Sequence, residues 1–181
     1  MDLYLILKLV HVACAIVWVG GASVLTLLVA VLLGRGDDDA TMAGVSYVAL
    51  LGNRVFAPIG LVTIATGLTL GWLGGWFPQA WTVLAMVMVA CTFLLGALVL
   101  GPACDRAVKT WKAGDMPAAM ALGRRVLRLV AVDLGAQWGI ISLMVAKPGW
   151  TDPAVGLPAL LVAVGLLAAL RRPAAPAPRP A

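Results

Sequence analysis

Histidine and charge are almost missing from this chain. Its 181 residues include one histidine, His11, and only 12% carry charge. A water-soluble domain carries about a quarter charged residues, so folding in water is excluded. A single histidine excludes any centre that takes two imidazoles from one subunit. Cysteine is scarce too: Cys14, Cys91 and Cys104. The first two fall inside apolar runs and the third near the cytoplasm, where thiols stay reduced, so no structural disulfide is expected. No nucleotide loop, nucleophile elbow, metalloprotease helix or pair of catalytic carboxylates occurs, which sets aside hydrolases and ATPases.

What is present is apolar: 62% of residues are hydrophobic, and the mean hydropathy is +1.02. In lipid only helices and closed barrels satisfy every backbone polar group. The apolar runs last about twenty residues without alternation, which selects helices over barrel strands. Five spans are predicted: Leu3 to Leu33, Val55 to Gly74, Ala80 to Gly101, Arg128 to Ala146 and Pro153 to Leu170. The first is too long for a secretory h-region and follows Asp2 rather than a basic segment, so it reads as a retained helix. It should tilt, bend near Gly20 and Gly21, or project beyond the bilayer.

The fold class is therefore all-α and polytopic: a four-helix transmembrane bundle over residues 1–148, with Gly60, Gly67, Gly71, Gly96 and Gly135 allowing close helix approach. A fifth, peripheral transmembrane helix occupies 149–170, and a Pro-Ala-rich disordered cytoplasmic tail occupies 171–181. Asp39 can cap a helix after the polar break at 34–40. Thr41 to Leu51 either lies along the surface or extends the second span inward, with a bend expected at Gly52, Asn53 and Pro58. Trp72, Trp76, Phe77 and Trp81 form an interfacial belt. Asp105 to Ala113 reads as helical, Gly114 as its end, and Asp115 and Pro117 as the start of a helix running into the fourth span.

Placing the N-terminus outside puts every basic residue except Lys8 and Lys147 on the cytoplasmic side, as the positive-inside rule favours. The net charge of +5 then reflects topology and contact with the lipid bilayer, not nucleic-acid binding. The expected location is a bacterial inner membrane.

The first span carries the pattern K-x-x-H-x6-W-x-G-G in Lys8, His11, Trp18, Gly20 and Gly21. Lys8, His11, Cys14 and Trp18 share one helical face by 3.6-residue periodicity. Three readings of His11 stand open. It is an axial ligand to a b-type haem, or a copper or zinc ligand with Cys14, or an interfacial histidine satisfied by a neighbouring helix or headgroup. A haem would need a second ligand or an open site, with Met86, Met88, Met144 or a symmetry-related His11 as candidates. Asp133 is the one acidic residue within a predicted span. Such carboxylates usually have a partner: Arg54 and Arg128 lie at its depth, and an ion pair or a proton relay are both open. Gln137 lies one turn outward on the same face. Thr63 and Thr66 stand as candidates opposite, completing a polar file.

The segment KLVHVACAIVWVGG resembles the opening helix of HemJ-type protoporphyrinogen oxidases and of CopD-like membrane proteins. The wider layout, with Pro58, Thr66-Gly67 and Met144-Val145-Ala146-Lys147-Pro148, is similar to an uncharacterised bacterial family of predicted integral membrane proteins over roughly residues 1–148. The resemblance implies a four-helix membrane bundle holding haem b at His11, with Lys8 as its companion. The expected role is redox-associated: electron transfer or oxidation of a membrane-accessible small molecule. A non-enzymatic membrane subunit or assembly factor, working as a homo-dimer or with another membrane subunit, is the main alternative. Copper handling is the second.

Overall fold

The structure is a computed structural model and describes residues 2–170. The expected tail at 171–181 lies outside the described residues. The described residues are helical, with no strand among them. Five long helices cross the molecule: α1 Leu3–Gly34, α2 Asp38–Leu73, α3 Ala80–Lys112, α4 Met116–Ala146 and α5 Pro153–Leu170. Each is long and apolar enough to span a membrane. At about 1.5 Å per residue, the 32 residues of α1 measure about 48 Å, well beyond a ~30 Å hydrocarbon core.

The extra length lies mainly at one end. α2 begins at Asp38, not near Val55, so Thr41 to Leu51 extends the second span rather than lying flat. α3 continues without a break from its span through Asp105 to Lys112. At this basic end Val29, Met42, Val45, Cys104, Ala107, Ala119, Met120 and Val126 form a compact core shared by α1 to α4. The cap of α2 is Asp37, whose side chain accepts from the Ala40 amide at 2.9 Å. Asp39 instead accepts from the Trp111 indole at 3.2 Å. Asp115 caps α4 and Pro117 occupies its first turn, as the sequence indicated.

The opposite, aromatic end has a smaller core of Trp81, Ala85 and Leu143. Lys147, left-handed at φ 47°, ends α4. Its ammonium lies 5.3 Å from the Trp76 ring and 5.5 Å from the Trp81 ring. The outward faces carry large apolar side chains, among them Val24, Leu27, Leu98 and Leu167, as lipid-facing surfaces should.

α5 packs along α4 with the backbones almost touching. A Cβ at Gly135 would stand 2.5 Å from the Leu161 carbonyl oxygen, and one at Gly165 would collide with the Ala131 carbonyl. Small residues permit such approach where lipid offers no hydrophobic drive.

Three helices widen locally into π-helical turns: α1 at Ile16–Gly20, α2 at Gly52–Phe56 and α3 at Gly96–Leu100. Two causes are legible. Pro58 and Pro102 cannot donate a backbone hydrogen bond, so the preceding turn expands. The Ala57 amide then reaches Gly52 and the Gly101 amide reaches Gly96. Two of these turns fall at the sites singled out in the sequence, near Gly20 and at Gly52 to Pro58.

Candidate functional site

All three π turns border one cavity of about 140 Å³. It lies between the two cores: along α4, Val126 belongs to the basic-end core, Val130, Asp133 and Gln137 to the cavity, and Leu143 to the aromatic-end core. Trp18 and Thr26 contribute from α1, Asn53 and Phe56 from α2, and Thr92 and Phe93 from α3.

Asp133 and Gln137 stand one turn apart on α4, so their side chains meet. Both are buried, at 6% and 3% exposure. Gln137 Nε2 donates to Asp133 Oδ2 at 2.7 Å. That bond fixes which atoms are left over. Asp133 Oδ1 and Gln137 Oε1 are buried acceptors without a hydrogen-bond partner. Each unsatisfied buried polar atom costs about 1–3 kcal/mol, so a wholly structural pair would be a poor arrangement. The ion pair expected with Arg54 or Arg128 does not form: both guanidinium groups are exposed. Their long stems let the charge leave the apolar interior, and Gln137, a turn away, already serves Asp133.

Thr63 and Thr66 do not face this pair. They receive His11, which α1 presents to the second half of α2. His11 Nδ1 lies 3.0 Å from the Thr63 carbonyl oxygen and 3.2 Å from Thr66 Oγ1. A carbonyl only accepts, so Nδ1 carries the hydrogen and Nε2 keeps its lone pair. Nε2 has no hydrogen-bond partner among the described residues. Gly67 makes the seat: a Cβ there would stand 2.9 Å from His11 Cε1.

The face expected to unite His11 and Trp18 is split by the π turn at Ile16–Gly20, whose extra residue breaks the 3.6-residue register between them. Trp18 is buried and lines the Asp133 cavity, while His11 does not. Lys8 is exposed, and Met144 packs against the Trp81, Ala85 and Leu143 core. Among the described residues no three His, Cys, Asp or Glu side chains converge as a metal site would require.

Periodicity did not disclose Phe56, Phe93, Asn53 and Thr92, because tertiary contacts bring them to the cavity. Pro58 and Pro102 were the available signal, each marking a turn that opens toward it.

The model of a family described as a predicted integral membrane protein (DUF2269) matches residues 5–148. The chain belongs to that family. The match spans α1 to α4, both candidate sites and Lys147-Pro148, and stops before α5. It makes the chain an integral membrane protein, in keeping with its five long apolar helices. No curated protein and no solved structure matches the chain.

Proposed function

We propose that this family member is a membrane-embedded binding protein whose working site is the Asp133–Gln137 cavity, taking a small cation or hydrogen-bond donor. One observation carries the reading: two buried acceptor oxygens, one on a carboxylate, have no partner in the chain, and both residues that bear them line a cavity. A guest that donates to both relieves their desolvation cost, and in so doing stabilises the fold by linkage. The test is thermal unfolding of purified full-length protein in nanodiscs, titrated with sodium, ammonium and small amine salts. At least one should raise the midpoint in the wild type and leave Asp133→Asn unmoved. A wild type indifferent to all of them ends the proposal.

A second reading keeps the redox role implied by the likeness to HemJ-type and CopD-like proteins. Its support is the His11 tautomer: Nδ1–H bound to a backbone carbonyl with Nε2 free is the arrangement common to metal-bound histidines. The donor set fits one axial bond to haem iron and no second imidazole from this chain. His11 would hold the iron and Lys8 a propionate, while Met144 is held in the aromatic-end core. When bound, haem b would supply one-electron chemistry. A Soret band lost in His11→Ala supports this reading; colourless protein from haem-replete cells removes it. Copper handling finds no comparable donor set among the described residues.

The remaining proposals concern placement. The basic end faces the cytoplasm of a bacterium, the N-terminus lies outside, and a second copy or another membrane subunit completes the assembly. Impermeant labelling of a cysteine introduced at Lys112 would show which side that end occupies.

A further inference from the structure

Asp133 Oδ1 and Gln137 Oε1 are acceptors on one turn of α4, so whatever meets both must donate more than one hydrogen bond or carry positive charge. The walls around them narrow the choice. Trp18, Phe56 and Phe93 line the same cavity. Glycines seat the two phenylalanine rings: a Cβ at Gly21 would stand 2.9 Å from Phe56 Cε1, and one at Gly60 would stand 3.4 Å from Phe93 Cδ2. The hydroxyls of Thr26 and Thr92 donate to the Ala22 and Val89 carbonyls, so they offer lone pairs only.

We infer that the guest is a small protonated amine, its ammonium group between Asp133 and Gln137 and its hydrocarbon part against Trp18, Phe56 and Phe93. The inference rests on the assignment of this cavity as the binding site. An ammonium has three donors and full charge, which suits a carboxylate beside a carboxamide oxygen. Aromatic faces attract such a cation within about 6 Å and shelter its alkyl chain. A hard metal ion needs six or more oxygens, or water in their place, and these walls are mostly hydrocarbon. An anion would meet the carboxylate. Size permits it: a cavity of about 140 Å³ is several times the ~10–15 Å³ that a single water needs by the same measure, enough for a short alkylamine.

The glycines of the π turns supply a size-selective variant. A Cβ at Gly52 or Gly96 meets nothing within 4 Å, so a methyl there enters open space. Both residues line the cavity.

Full-length protein in phosphatidylglycerol nanodiscs, free of amine lipids, would be unfolded thermally at equal ionic strength with butylammonium, ammonium, sodium or neutral butanol. Butylammonium should half-saturate the stabilisation at a concentration at least tenfold below ammonium and sodium, and butanol should do nothing. Gly96→Ala should weaken butylammonium more than ammonium. Phe56→Leu with Phe93→Leu should weaken butylammonium about tenfold and ammonium by less. Asp133→Asn should abolish the response, with Gln137→Leu as the second variant if Asp133→Asn fails to fold. Equal responses to butylammonium, ammonium and sodium, all lost in Asp133→Asn, would keep the site and overturn the amine. A butanol response matching butylammonium would overturn it too. No response to any solute would remove both the site and its guest. Adding phosphatidylethanolamine separates the sources: loss of the butylammonium response assigns the cavity to the lipid amine, and an unchanged response assigns it to a free one.

Discussion

The Phe56 ring occupies the space that a side chain on Gly21 would take, with only 2.9 Å between ring Cε1 and a Cβ built there. The second glycine of the first-helix pattern thus shapes a wall of the cavity on a different helix. Gly21→Ala should push the ring into that cavity. Because the ring has room to move, we expect a stability loss of about 1 kcal/mol, at the low end for overpacking, together with weaker guest binding. Thermal unfolding with and without the amine would measure both.

Gly135 and Gly165 face backbone rather than a movable ring. A methyl at Gly135 meets the Leu161 carbonyl oxygen, so α5 itself must shift. Gly135→Ala should cost more than Gly21→Ala, about 2–3 kcal/mol. It should also expose α5 to limited proteolysis near residue 152. Equal losses in the two variants would contradict the close packing of α4 and α5.

Replacing both Asp133 and Gln137 by leucine removes two unpartnered acceptors together. An arrangement kept for binding costs stability, so the double variant should be more stable than wild type by about 1–2 kcal/mol and bind no guest. A large loss of stability would show that the pair holds the bundle together instead.

Asp37 and Asp39 differ sharply for near neighbours. Asp37→Ala removes the cap of α2 and should cost about 1 kcal/mol. Asp39→Ala removes only an exposed bond to Trp111 and should cost less than about 0.5 kcal/mol. Denaturant melts of the two variants side by side would check the ranking.

His11 and Gly67 should be coupled. Gly67→Ala would displace the imidazole from the Thr63 carbonyl, so its penalty should shrink in a His11→Ala background. A double-mutant cycle should return a coupling of about 0.5–3 kcal/mol, whereas additivity would mean that the seat is not shared.

The membrane class and the five helices were legible because twenty-residue apolar runs have few other uses. Helix ends were legible where chemistry marks them, at Asp115, Gly114 and Pro148. The inward extension of α2 was left open, since Thr41 to Leu51 is only moderately apolar and its core partners lie on α1, α3 and α4. Asp133 and Gln137 were legible as neighbours by helical spacing. The exposed guanidinium of Arg54 was not, because a long side chain turns away from the interior without a trace in residue order. His11 and Trp18 were assigned to one face by regular periodicity, and a single widened turn between them defeats that reckoning.

That same widening recurs on three helices at one level of the bundle. Regular α-helical segments flank each widened turn, and tight cores bind the two extremities. The molecule thus carries its cavity at a waist, where three of its spines take an extra residue in the turn, between two packed extremities.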